Sequence, residues 1–237
     1  VLTPGKHSIV IRVDNTAKYQ IGLLGHSITE HTQTNWNGII GRIELRASAP
    51  LSIESVKTYP DLKTRSVTVL ARIRNMTAEG FRREVVAKVC DSNRKALGNA
   101  TIEREIPAGQ TVEVELEIAL ARTVKAWDEF TPSLYTLELT CGDSAFSLRL
   151  GMREVGVADK RITINDRPIF LRGTLECCIF PLTGYPPADE PAWERIFRII
   201  QSYGLNHMRF HSWCPPEAAF VAADKLGVYL QVELPNW

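Results

Sequence analysis

Apolar and polar positions alternate through much of the first two thirds of the chain. In QTVEVELEIAL, residues 110–120, Val112, Val114, Leu116 and Ile118 fall on one side while Glu113, Glu115 and Glu117 fall on the other. This is the two-residue period of a strand with one buried face. SVTVLARIRN, EVVAKVCDS, NATIEREIPAG, SLYTLELTCGD and AFSLRLGMREV continue the pattern, with Gly, Asp, Asn and Pro at the turns between them. From residue 51 to 154 the spacing predicts roughly seven strands in about 100 residues, the size and count of an immunoglobulin-like β-sandwich. Nothing in this stretch collects reactive groups.

Upstream, LTPGKHSIVIRVDNT places Ile9, Ile11 and Val13 on one face after a Pro-Gly turn, and GIIGRIELRA, residues 38–47, offers a second strand. Ala49-Pro50 then punctuates the chain. Two strands and a loop bury no core of their own, so residues 1–49 read as the C-terminal part of a larger β domain. The loop between them, GHSITEHTQTNWN, carries His26, Glu30 and His31, a polar cluster whose ordinary role is solvation.

After residue 155 the period changes. RITINDRPIFLRG reads as a hairpin turned at Asn165-Asp166, and TLECCIF as a short buried strand. DEPAWERIFRIIQSYG sets Trp193, Ile196, Phe197 and Ile200 at helical spacing, with Asp189 as cap, Pro191 in the first turn and Gly204 as stop. LNHMRFHSW is strand-like, PPEAAFVAADKLG repeats the helix recipe up to Gly227, and VYLQVEL is again a strand. Strand, helix, strand, helix, strand predicts a parallel sheet with right-handed crossovers.

Composition changes this picture little. With 28 Lys+Arg against 27 Asp+Glu the formal net charge is +1, which leaves no electrostatic footprint for nucleic acid. No apolar run approaches the ~18 residues of a membrane span, and no signal-peptide pattern is visible at the N-terminus. The cysteines Cys90, Cys141, Cys177, Cys178 and Cys214 are odd in number and irregular in spacing, so buried free thiols are expected.

The order of these parts, with particular phrases, resembles glycoside hydrolase family 2, the group of β-galactosidases, β-glucuronidases and β-mannosidases. LTPGKHSIVIRVDN and TNWNGIIGRIEL are similar to the end of its sugar-binding jelly roll, and WDEFTPSLYTLEL to a Trp, Pro, Leu-Tyr signature late in its sandwich. GMREV followed by ITINDRPIFLRG resembles the entry into the catalytic (β/α)8 TIM barrel. GLNHMRFHSWCPPEAAFVAADKLGVYLQVE resembles the second and third barrel strands with the helix between. The resemblance therefore implies a mainly β, multidomain chain: 1–49 jelly-roll tail, 50–154 immunoglobulin-like sandwich, 155–237 the N-terminal part of a truncated barrel.

It also implies a retaining exo-glycosidase acting on terminal O-glycosidic bonds of oligosaccharides or glycoconjugates, through two carboxyl groups about 5 to 5.5 Å apart. Those glutamates stand at the ends of the fourth and seventh barrel strands in the family, and this sequence reaches only just past the third. The expectation is thus a segment with no catalytic residue of its own, inactive alone, with carbohydrate as the substrate of the longer parent. Three barrel strands leave an open edge, which predicts self-association. A non-catalytic carbohydrate-binding or scaffolding β-sandwich protein is the alternative.

On the second barrel strand His207, Arg209 and His211 share one face and Met208 and Phe210 the other. Barrel sites lie at the C-terminal ends of strands, which puts Arg209 and His211 near the mouth. Arg209 matches the family's arginine here, whereas the family's histidine falls one position later, at Ser212. Arg209 and His207 also fit a core role as polar groups paired with neighbouring strands. Glu233, ending the third strand, is placed for a substrate hydroxyl or for an ion pair with Arg209. Trp213 and Trp237 follow strands two and three and could wall a sugar face or simply fill space. The substrate-binding set is therefore Arg209, His211, Trp213, Glu233 and Trp237.

A metal reading would join His207, His211 and Cys214 with Cys177 or Cys178, but no spacing specifies it, and neither metal nor cofactor is assigned. After the first strand, where several family members have Asn and His, this chain has TLECCIF. The Asn-X-Thr triplets at Asn75 and Asn99 satisfy the glycosylation pattern, which arises often by chance.

Overall fold

The computed structural model describes residues 3, 5–14, 16, 22–23, 29, 31, 38–39 and 42–234. Seven strands form the first body: β1 (Leu51–Asp61), β2 (Ser66–Asn75), β3 (Phe81–Cys90), β4 (Ala96–Ile106), β5 (Thr111–Ala119), β6 (Leu134–Cys141) and β7 (Ser144–Gly151). They make two antiparallel sheets, ordered β1-β2-β5 and β4-β3-β6-β7. The alternation seen in the sequence is the reason they face each other. Val67, Val69, Ala71 and Ile73 of β2, with Val114, Leu116 and Ile118 of β5, meet Val85, Ala87 and Val89 of β3 and Leu137 and Leu139 of β6 in one core. Glu113, Glu115 and Glu117 stay outside.

Asn75 closes one end of this core. It is buried, its Nδ2 donates to the carbonyls of Glu79, Ile106 and Pro107, and its Oδ1 accepts from the amide and hydroxyl of Thr77. The Asn75 triplet is thus spent on turn geometry, and a glycan on that nitrogen would break the network.

The second body begins with a small sheet, β8 (Val155–Ala158), β9 (Arg161–Ile164) and β10 (Arg167–Pro168). Its predicted Asn165-Asp166 turn has both residues at positive φ, 53° and 62°, as a type I′ hairpin requires. The strand β8 was not legible as such, and it joins through a second positive-φ pair, Asp159-Lys160. Next come β11 (Gly173–Glu176), α1 (Glu190–Ser202), β12 (His207–Phe210), α2 (Glu217–Leu226) and β13 (Tyr229–Val232). The three strands are parallel in the order β11-β12-β13.

Asp189 caps α1 by accepting from the amide of Ala192 at 3.0 Å. Trp193, Phe197 and Ile200 of α1 then join Met208 and Phe210 of β12 and Ala219, Ala222 and Ala223 of α2 in a second core. The small residues of α2 let the two helices approach.

Trp127, in the segment between β5 and β6, joins the two bodies. Its ring is 2% exposed, its Nε1 donates to the carbonyl of Asp224 on α2 at 2.7 Å, and it meets Tyr229 edge-on at 5.9 Å. Arg153 lies over the same ring and pairs with Asp224 at 3.1 Å.

Three expectations change. No strand forms over the described residues of 5–14 or 42–49, where Ile9 and Val10 are 71% and 93% exposed; an alternating segment pairs only when a neighbouring strand supplies its hydrogen bonds. The strand in TLECCIF is shorter and more open than expected, because the Glu176 carboxylate folds back onto the amides of Cys178 and Ile179 and ends it. Leu175 is left half exposed. Of the thiols, Cys90, Cys141 and Cys178 are buried as expected, but Cys177 is half-buried and Cys214, on the loop after β12, is exposed.

Gly227 ends α2 at φ 72°, and a Cβ there would stand 2.7 Å from the carbonyl oxygen of Glu129. Gly227→Ala combines left-handed strain with a backbone clash at the junction of the two bodies. Urea unfolding should show destabilisation by more than about 1 kcal/mol, lost first from the helical signal.

Candidate functional site

The parallel ladder aligns Leu175 with Arg209 and Gln231, and Glu176 with Phe210 and Val232. Met208 and Phe210 turn towards the helices and are buried, which sends His207, Arg209 and His211 to the inner face as the alternation predicts. Arg209 Nε donates to Glu233 Oε1 at 2.5 Å, and the amide of Ser212 donates to Glu233 Oε2 at 2.9 Å. Gln231 Nε2 adds a bond to Glu233 Oε1 at 3.2 Å. Glu233 is therefore held by three donors just beyond the C-terminal end of β13.

The pair is open to solvent in part, the side chains of Arg209 and Glu233 being 42% and 24% exposed. The Arg209 guanidinium, and after it the Ser212 amide, hold the Glu233 carboxyl below its ordinary value. Both charges persist through neutral pH, while free guanidinium and carboxylate valences remain for a ligand. This arrangement can bind vicinal hydroxyls or a small anion.

His207 lies deeper and is 8% exposed, and burial pushes its pKa down, so its ring is neutral at physiological pH. It stands so close to β11 that a Cβ at Gly173 would clash with His207 Nδ1. Cys177 stands near Arg209 and Glu233 in charge terms; burial, followed by the Glu176 charge, pushes its thiol up and keeps it protonated. Burial likewise raises Glu176, against the amides that stabilise its charge. Among the described residues no group of three or more His, Cys, Asp or Glu is arranged to hold a metal ion.

The structure brings together Arg209 and Glu233, with His211 adjoining them and contributing to the lowering of Glu233. It corrects the expectation for Trp213, which presents no open wall. Trp213 is 4% exposed, packs against Phe180 and Phe210, and donates Nε1 to the Glu176 carbonyl at 3.3 Å. The chain turns back at Ser212, φ 59°, which carries the indole under the sheet instead of over the site. Trp237, His26 and Glu30 lie outside the described residues.

Gln231 and Ser212 were missed. Gln231 was legible, since the two-residue period of VYLQVEL puts it on the face of Glu233; the amide of Ser212 was not, because its direction depends on the turn. A separate cleft of about 610 Å3 lies between the β8-β9 strands, α2 and β13, lined by Val155, Ile162, His207, Phe220 and Tyr229 among others but by neither Arg209 nor Glu233. No helix among the described residues is long and apolar enough to cross a membrane.

Comparison with known proteins agrees with this architecture. The chain is 23% identical over 203 residues to the β-galactosidase large subunit of Latilactobacillus sakei, covering 83% of this chain and 31% of that protein. Among solved structures it is similar to a glycosyl hydrolase family 2 member from Bacteroides cellulosilyticus DSM 14838, with a TM-score of 0.69 at 20% identity, over 78% of this chain and 27% of that one. It is also similar to the β-glucuronidase of Bacteroides uniformis, with a TM-score of 0.65 at 20% identity, over 76% and 23% of the two chains. The chain thus spans less than a third of the length of these relatives. Residues 51–153 match the family described as Glycosyl hydrolases family 2, and that match and these likenesses support a fragment of the glycoside hydrolase family 2 kind.

Proposed function

We propose that this chain is the sandwich-to-barrel segment of a retaining exo-glycosidase that removes terminal sugars from oligosaccharides or glycoconjugates. In this reading residues 1–49 are the C-terminal part of a sugar-binding jelly roll, 50–154 an immunoglobulin-like sandwich, and 155–237 the first units of a (β/α)8 barrel. The observation that carries it is the half-open Arg209–Glu233 pair at the C-terminal ends of parallel strands, where barrel enzymes bind their substrates. The three-plus-four strand arrangement supports the immunoglobulin-like assignment. So does Tyr135 near the start of β6, whose hydroxyl bonds the backbone of Lys125 ten residues upstream, as in a tyrosine corner.

Arg209 and Glu233, with His211 beside them, hold hydroxyl or carboxylate groups of the sugar. Trp213 supports that site from below. The acid and the nucleophile come from later strands of the longer protein, whose substrate is a carbohydrate. The relatives named above are a β-galactosidase subunit and a β-glucuronidase, so a hexose or its uronic acid is the class to test.

Titrating the 237-residue chain with galactose, glucuronate and galacturonate under NMR observation should shift the Arg209 Nε and Ser212 amide signals, with a millimolar Kd, about 4 kcal/mol. Arg209→Gln should weaken binding by about tenfold or more, as expected for loss of a charged hydrogen bond. Because the Glu233 pKa is depressed in the fold, the pair is intact above the ordinary 4.5 and fails only as pH falls through the lower folded value, and binding should follow. Shifts confined to other surfaces would refute the site.

The chain by itself should release no aryl alcohol from an aryl glycoside; turnover that survives purification and disappears with Arg209→Gln would overturn the division of labour proposed here. The outer edges of β11 and β13 carry no partner strand among the described residues. Light scattering on a concentration series should accordingly show self-association, and a monomer at all concentrations would count against an exposed barrel edge.

A further inference from the structure

The densest polar arrangement outside the Arg209–Glu233 pair lies at the opposite end of the same strands. Asn206 immediately precedes β12 and is 5% exposed. Its Oδ1 accepts from the amide of Arg172 at 2.8 Å, and its Nδ2 donates to the Phe170 carbonyl at 3.1 Å and to Glu129 Oε2 at 2.5 Å. Its own amide donates to the Arg172 carbonyl at 3.0 Å, and its carbonyl accepts from Tyr229 at 2.8 Å. One residue thus bonds the entry to β11, the start of β13 and the loop between β5 and β6.

Glu129, on that loop, has a side chain only 10% exposed and also faces the Arg172 guanidinium at 3.8 Å. Arg172 Nε is in turn fixed to the Gly204 carbonyl at 2.7 Å. Burial, followed by the Glu129 charge, pushes the Tyr229 phenol up to about 12, so it stays neutral and adds no competing anion.

A parallel ladder has evenly spaced hydrogen bonds and does not by itself distinguish a strand from the same strand slid by two residues, which preserves which face is buried. A buried side-chain amide matched to two separate segments, the entry to β11 and the loop that carries Glu129, does distinguish them, because sliding would draw it away from both. At about 3.3 Å per residue, a two-residue slip of β12 against β13 would carry Arg209 about 7 Å along the sheet from Glu233.

We infer that Asn206, clamped by Glu129, is the positioning residue of this site: it sets the register of β11, β12 and β13 and thereby the Arg209–Glu233 alignment at their far end. The sandwich, through one carboxylate, fixes the geometry of a pair it never touches. The alignment stands on these hydrogen bonds alone, and its bearing on sugar binding rests on the function proposed above.

The test reads the Glu233 carboxyl titration by carbon-detected NMR in the full 237-residue chain, with amide exchange of α1 and α2 followed in parallel. In Glu129→Ala the Glu233 pKa should rise back towards the ordinary 4.5 while the helices keep their protection. Glu129→Gln, whose amide oxygen still accepts from Asn206 Nδ2, should keep it depressed. An unmoved titration in Glu129→Ala overturns the inference. So does collapse of helix protection in that variant, which would make Glu129 a general prop. A correctly aligned pair that binds no sugar would leave the positioning role standing and sink the sugar-site reading, so the two failures are distinguishable.

Discussion

The packing of Trp127 against α2 is the contact on which the architecture turns. A sandwich and an α/β unit each bury an apolar core, but neither core requires the other. The indole supplies that requirement, because its ring is sealed from water only when α2 and Tyr229 cover it, and its N–H is satisfied only by the Asp224 carbonyl. Around it Asn165 Nδ2 donates to the Trp127 carbonyl and accepts through Oδ1 from the amide of Glu154, so the β9-β10 turn is fastened to the same point. Separating the bodies would expose the ring and leave several polar groups unpaired at once.

From this contact outward, polar groups are used in two opposite ways on one short sheet. At the N-terminal ends of the strands the amide of Asn206 is buried and fully engaged, and the nearly buried carboxylate of Glu129 is tied to it and faces Arg172, which makes this end rigid. At the C-terminal ends Arg209 and Glu233 engage one another only in part and remain open. Rigidity at the first end is what allows the second to be open without wandering. The same division explains why Met208 and Phe210, between the two, are wholly apolar in their contacts: the strand is gripped by its core in the middle and by hydrogen bonds at each end.

Period and punctuation revealed most of this fold in advance. The strands β2 and β6 follow alternations that survive intact because each has partners on both sides, β5 keeps its alternation at the sheet edge because its apolar face enters the core, and α1 begins at the Asp189 cap and ends before Gly204 as its residues require. What escaped the sequence depended on tertiary geometry. Ile9 to Val13 alternate as well as any strand yet carry no ladder, since alternation states a preference and not the presence of a neighbour. Trp213 looked like a sugar wall until the positive φ of Ser212 turned it under the sheet. Arg209 and Glu233 were readable as a pair from strand ends alone, whereas Asn206 was invisible, because an amide in a short polar stretch gives no sign of how many segments it will reach.

The first parallel strand sharpens what the site can recognise. Family resemblance would put Asn and His after it, groups that offer hydrogen bonds to a ligand. Here Glu176 turns its carboxylate back onto the Cys178 and Ile179 amides, and Cys177, within the electrostatic reach of Arg209 and Glu233, has its thiol held protonated by burial and by the Glu176 charge. A thiol is a weak donor and a weak acceptor, so polar recognition withdraws from β11 and concentrates on β12 and β13. A sugar seated there would meet charge on one flank and a small soft group on the other. Under the function proposed above, such a site would favour ligands that present adjacent hydroxyls or a carboxylate on a single edge over those that need a second polar contact across the ring.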